Sequence, residues 1–156
     1  MSKTNELLVE FQAIGENESL ARVIVSAYAA RLNPTVEELS DLKVAVSEAV
    51  TNAIIHGYDR GNPAQEAAGG EETKSKQGII QLRMWSEGRM VTVQIQDYGC
   101  GITDVERAME PLYTTKPDQE RSGMGFSFME AFTNEVTVQS APNEGTTITL
   151  KKIIGE

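Results

Sequence analysis

The sequence predicts an α+β two-layer sandwich, with one mixed or antiparallel sheet carrying its helices on one face. Three observations carry that prediction. After one opening strand, apolar residues recur at helical spacing up to residue 57, whereas paired alternating stretches dominate from residue 79 onward. Strands and helices are therefore segregated rather than alternating. The 156 residues are also enough for one domain with a core of its own, so 1–156 is expected to be a single unit.

Leu7 to Ala13 alternates, with Leu7, Val9, Phe11 and Ala13 on one side and Glu10 and Gln12 on the other, as a strand with one wet face does. Asn17 then offers a helix N-cap, and Leu20, Val23, Ile24 and Ala27 form the expected core stripe of a helix running to about Leu32. Asn33-Pro34 ends it, because proline disfavours helical geometry in the residue before it. Thr35 and Glu38 have the capping-box spacing that starts a second helix. Its stripe is Val36, Leu39, Leu42, Val46, Val50 and Ala53, and Gly57 is a natural stop.

Gly61 to Gln77 shows no apolar period and reads as a mobile surface loop. Ile79–Trp85 and Met90–Gln96 form a hairpin closed at Glu87-Gly88, and Val136–Ser140 pairs with Thr146–Lys151 through Asn143-Glu144-Gly145. Between the pairs, Tyr98 to Ser122 is rich in Gly, Pro, Thr and charge, with at most a short helix at Val105–Met109. A helix is expected from Gly125 to Phe132.

Composition narrows the function. Fourteen Lys and Arg against 23 Asp and Glu leave a formal charge of −9, which argues against direct binding to nucleic acid or anionic membrane because phosphates would be repelled. The N-terminus lacks a signal-peptide pattern, and no apolar run approaches the ~18–20 residues of a membrane span, so a cytoplasmic protein is expected. Cys100 is the single cysteine, which rules out an internal disulfide.

Chemistry-bearing residues fall in three clusters. Glu48, Asn52 and His56 lie at four-residue intervals in SEAVTNAIIHGY, stacking along one side of the second helix beside its apolar stripe. A carboxylate one turn from a carboxamide can orient a hydroxyl beside an oxygen-seeking cation, although a solvated polar edge is the plainer reading of the helix alone. Asp97-Tyr98-Gly99-Cys100-Gly101 follows a strand, where two glycines let the backbone approach a flat ligand and the carboxylate can accept from an amino group. Gly123-Met124-Gly125 precedes a helix whose amides can face phosphate. Walker A, Rossmann and protein-kinase loop motifs are absent.

Taken in order, E-x-x-x-N-A-x-x-H-G, D-x-G-x-G, G-x-G and a later G-T-T resemble the Bergerat (GHKL) ATP-binding fold of gyrase, heat-shock chaperones, histidine kinases and MutL-type repair proteins. SEAVTNAIIHGY, PLYTTKP and RSGMGF, with NESLARV near the start, narrow the resemblance to the anti-sigma serine kinases of spore-forming bacteria. It extends from about Leu7 to Leu150, with 61–77 longer than the usual connection.

The resemblance implies ATP and Mg²⁺ as cofactors, Asn52 as metal ligand and Glu48 as general base toward a serine hydroxyl. It places Asp97 on the adenine amino group, Gly99 and Gly101 beside the ring, and Thr146 at the adenine end. Gly123 and Gly125 face the phosphates, and 103–122 is a lid bearing Thr115, Lys116, Arg121 and Ser122. Arg22 implies a partner-binding helix. The implied partners are a sporulation sigma factor held inactive, an anti-anti-sigma protein phosphorylated on serine, and a second copy of the chain in a homodimer. The alternative is a stress-response anti-sigma kinase with another sigma factor.

Overall fold

The computed structural model describes residues 3–57, 78–99, 125–141 and 144–155. Five strands form one sheet: β1 (Thr4–Gln12), β2 (Ile79–Glu87), β3 (Met90–Asp97), β4 (Glu135–Ala141) and β5 (Gly145–Ile153). Their spatial order is β1-β2-β3-β5-β4, and every neighbouring pair is antiparallel. The expected mixed or antiparallel sheet is thus wholly antiparallel. Among the described residues three α-helices accompany it: α1 (Glu16–Ala29), α2 (Val36–Asn52) and α3 (Gly125–Phe132). Alternate residues of the central strands, among them Leu82, Met84, Val93, Ile95, Ile148 and Leu150, join helix residues in one core cluster, so the helices cover one face.

The capping box at the start of α2 is fully formed. Thr35 Oγ1 accepts from the Glu38 amide at 3.0 Å, and Glu38 Oε1 accepts from the Thr35 amide at 2.8 Å. The Glu38 carboxylate also receives the Gly155 amide, and these two backbone donors hold its carboxyl below the ordinary range. Arg89, in the β2–β3 turn, donates to the carbonyls of Ile154 and Leu32, each at 2.6 Å. The residues after β5 are thereby tied to the junction between α1 and α2.

Two expectations need correction in α1. Its buried face is Ala21, Val25, Tyr28 and Ala29, whereas Leu20 and Val23, placed in the core stripe from the sequence, are 48% and 63% exposed, and Ala27 is exposed as well. Apolar residues occupy two adjoining sides of this helix, and α2 selects the side whose small alanines permit close approach. Nor is Asn17 the N-cap: Gly15 holds that position, and the Asn17 side chain donates instead to the Gln12 carbonyl at 2.9 Å. In α2, Val36 at the tip is 88% exposed, while Leu42, Val46, Val50 and Ala53 are buried as the spacing predicts.

The surface loop expected at 61–77, the short helix at Val105–Met109 and the lid at 103–122 lie outside the described residues. No described helix is long and apolar enough to cross a membrane.

Candidate functional site

The carboxyl half of α2 carries the first cluster. Its core-facing residues Ala45, Val46, Ala49 and Val50 fix the rotation of the helix, and this sets Glu48 and Asn52 one turn apart, both half-buried, on its flank. Immediately after Asn52 the hydrogen bonding widens into a π-helical turn, Ala53–Gly57, that rests on β3 and β5. Such turns are rare and recur at functional sites. The structure therefore brings together Glu48 and Asn52 on one flank of α2, while the side chain of His56 lies outside the described residues.

The second cluster closes the same end of the sheet. Asp97, the last residue of β3, is 3% exposed. Its Oδ1 accepts the Gly99 amide at 3.0 Å and the Thr146 amide at 3.3 Å. Burial pushes its carboxyl up to about 7, against the pull of those two amides, which favour the charged form. Both bonds fall on one oxygen, which leaves Oδ2 able to accept from a ligand amino group. Thr146 is buried beside it, and its Oγ1 lies 2.8 Å from Ser140 Oγ, which donates to the Gly145 carbonyl at 3.1 Å.

Gly145 and Ser140 belong to this arrangement, although motif reading assigns Gly145 only to a turn. Gly145 has φ +90°, and a Cβ there would stand 2.2 Å from the Asp97 carbonyl oxygen. The backbones of β3 and β5 can meet this closely only without a side chain. The signal was present in the G-T-T word, where the glycine precedes the threonine; for Ser140 the sequence holds no signal.

Gly125 opens α3, which packs against α2. Gly99 is buried after β3. Gly101, Thr115, Lys116, Arg121, Ser122 and Gly123 lie outside the described residues. Arg22 lies on α1, half exposed, with its Nε 2.9 Å from Glu18 Oε1 and its Nη2 3.2 Å from Ser19 Oγ. Glu18 also accepts from the Ser47 hydroxyl, the residue before Glu48, so α1 is bonded to α2 one position from the first cluster.

Chemically, the flank of α2 offers a carboxylate and a carboxamide, both oxygen donors that suit Mg²⁺. Among the described residues no group of three or more acidic, histidine or cysteine side chains could hold a metal by itself. The donor set fits a magnesium ion that shares its coordination with substrate phosphates and water, the usual condition of that ion.

The family model of the histidine kinase-like ATPase domain matches residues 11–152. An anti-sigma F factor from Thermoanaerobacter sp. (strain X514) is 44% identical over 155 residues, 99% of this chain and 98% of that protein. One from Geobacillus sp. (strain WCH70) is 48% identical over 150 residues, 96% of this chain and 93% of its own length. A third, from Clostridium acetobutylicum, is 47% identical over 148 residues, 95% and 93%. Among solved structures, one of RsbU and RsbW domains from Mycobacterium tuberculosis reaches a TM-score of 0.64 at 19% identity, covering 98% of this chain and 33% of that one. The SiaB-SiaC complex from Pseudomonas aeruginosa reaches 0.54 at 14% identity, covering 95% and 89%. At such identities the structural likeness is one of fold.

Proposed function

Because the chain belongs to the histidine kinase-like ATPase family, and within it to the anti-sigma F factors, we propose that it is an ATP-dependent kinase that holds sigma F inactive and phosphorylates the anti-anti-sigma antagonist on serine. The observation that carries this reading is the buried Asp97, anchored by the Thr146 amide and standing at the end of the sheet where the π-turn after Asn52 rests. A buried carboxylate with a free oxygen is built to receive an amino group such as that of adenine. Asn52 and Glu48 then face the phosphate end.

In this reading Asp97 selects adenine, Gly99 and Gly101 admit the ring, and Thr146 supports the adenine end through the amide that anchors Asp97. Asn52 holds Mg²⁺, which when bound neutralises phosphate charge. Glu48 accepts the proton of the attacking serine hydroxyl, which must be lost as the oxygen bonds to phosphorus. Gly123 and Gly125 present amides to phosphate, while 103–122, with Thr115, Lys116, Arg121 and Ser122, covers the nucleotide. Arg22, on the exposed side of α1, engages the protein partners, and two copies of the chain form the sigma-holding unit. A charge of −9 favours approach to a basic partner surface.

The test is direct. The purified chain is incubated with Mg-ATP labelled at the γ-phosphate, sigma F and the antagonist. Label is expected on a serine of the antagonist, with sigma F retained when ATP is present and released as the antagonist is engaged. ATP binding without any transfer to the antagonist would overturn the kinase reading.

A further inference from the structure

We propose that Lys152 is a positioning residue for the phosphate end of the nucleotide site, acting through α3. The inference rests on the reading above that the amino end of α3 faces phosphate. Lys152 lies on the helix-covered side of β5, the side of Ile148 and Leu150, and its side chain is only 12% exposed. Its Nζ donates to the carbonyl of Phe132, the last residue of α3, at 3.0 Å, and stands 3.8 Å from Asp41 Oδ2 in the first half of α2.

The Phe132 carbonyl is one of the orphan acceptors at a helix end, and a cation there is favoured by the helix dipole. One ammonium thus joins the closing turn of α3, the opening turns of α2 and the sheet. Since those two ends meet at Lys152, the helices run in opposite senses. The amino end of α3 at Gly125 and the Glu48–Asn52 flank of α2 are therefore carried to the opposite end of the layer.

Lys152 pairs with Val91 near the β2–β3 turn, whereas Thr146 pairs with Asp97 at the site. Six residues of strand separate the two positions, roughly 20 Å, so Lys152 cannot touch the nucleotide. Its influence runs through helix placement. Phe126 and Met129 bind α3 to the core by apolar packing. Asn134, two residues beyond α3, is bonded to the Lys151 carbonyl and the Ile153 amide, and the bond from Lys152 adds a tie to the last helical carbonyl itself. A helix of eight residues spans about 12 Å and moves as a rod, so a shift at Phe132 reappears at Gly125.

The test compares ATP, ADP and adenosine binding by calorimetry or NMR titration in the full chain and in Lys152→Met and Lys152→Arg. Methionine keeps the length of the side chain without the charge. Lys152→Met is expected to weaken ATP and ADP about tenfold while adenosine changes less than about twofold, and Lys152→Arg to restore ATP to within about threefold. Equal weakening of all three ligands, or unchanged ATP affinity in the folded methionine variant, would overturn the proposal. Should Lys152→Met not fold, Asp41→Asn serves, with a smaller loss expected in the same phosphate-selective pattern and a ligand-independent loss, or none, counting against it. If the unaltered chain bound ATP no better than adenosine, the phosphate reading itself would fail, separately from the part given to Lys152.

Discussion

Gly145 lies so close over Asp97 that a single methyl group would stand 2.2 Å from the Asp97 carbonyl oxygen. The φ of +90° at Gly145 adds a second demand for glycine. Gly145→Ala must therefore strain the backbone and push β5 away from the carboxylate it anchors. A stability loss of ~1–3 kcal/mol is expected, measured by denaturant melts, together with weaker ATP binding by calorimetry. Wild-type affinity in this variant would show that the contact does not shape the adenine seat.

Glu48→Gln and Asn52→Ala should separate chemistry from binding. Glutamine keeps shape and most hydrogen bonding but takes no proton, so ATP binding should persist while phosphate transfer to the antagonist falls by roughly 10²–10⁴. Sigma F retention should persist too. Asn52→Ala removes the proposed metal ligand and should weaken Mg-ATP about tenfold or more. Transfer at the unaltered rate in Glu48→Gln would send the search for the base elsewhere.

Asp97 should make both folding and binding pH-dependent. Its carboxyl lies at about 7 in the folded chain against 3.8 in the unfolded, so the fold favours the neutral form. Its stabilising share is complete below about 3.8 and declines as pH rises to about 7, because the unfolded chain loses its proton first. An adenine amino group donating to the carboxylate favours the charged form, so nucleotide binding should release protons near pH 6–7. Calorimetry in buffers of different ionisation enthalpy reads this release. Asp97→Asn should remove the part due to this group, leaving only that of ATP itself.

Arg22→Ala should leave melting and ATP affinity nearly unchanged, since a half-buried i,i+4 ion pair on a helix surface contributes only about 0.3–0.5 kcal/mol. Capture of sigma F in a pull-down with ATP should fall. Undiminished capture would move the docking surface away from α1.

How much of this was legible in the sequence varies with how local the cause is. The capping box of Thr35 and Glu38 lies within four residues, and it forms as spelled. The strands after residue 78 alternate plainly, and their limits move by only one or two residues. In α1 local pattern does not decide, because Leu20-Ala21 and Val23-Ile24-Val25 offer apolar residues on adjoining sides and only packing with α2 selects one. The partner of Asp97 is 49 positions away and depends on β5 entering beside β3, which spacing alone does not disclose. The π-turn after Asn52 left no mark in the residue pattern either; AIIH continues an apolar helix as readily as it widens one.

The order β1-β2-β3-β5-β4 has a consequence for the protein's birth on the ribosome. When β3 has been made, Asp97 has its Gly99 amide but not the Thr146 amide, and Val91, Val93 and Ile95 sit on an open sheet edge. β4 emerges next and has nowhere to dock, because its neighbour in the sheet is β5. At translation rates of roughly 5–20 residues per second, this interval lasts several seconds. A nascent chain in that interval lacks the Asp97–Thr146 pairing on which the proposed adenine seat depends, so on that reading it cannot start work while half made. It is also the moment when an unpaired β3 is most open to wrong partners, and when a chaperone would be of most use.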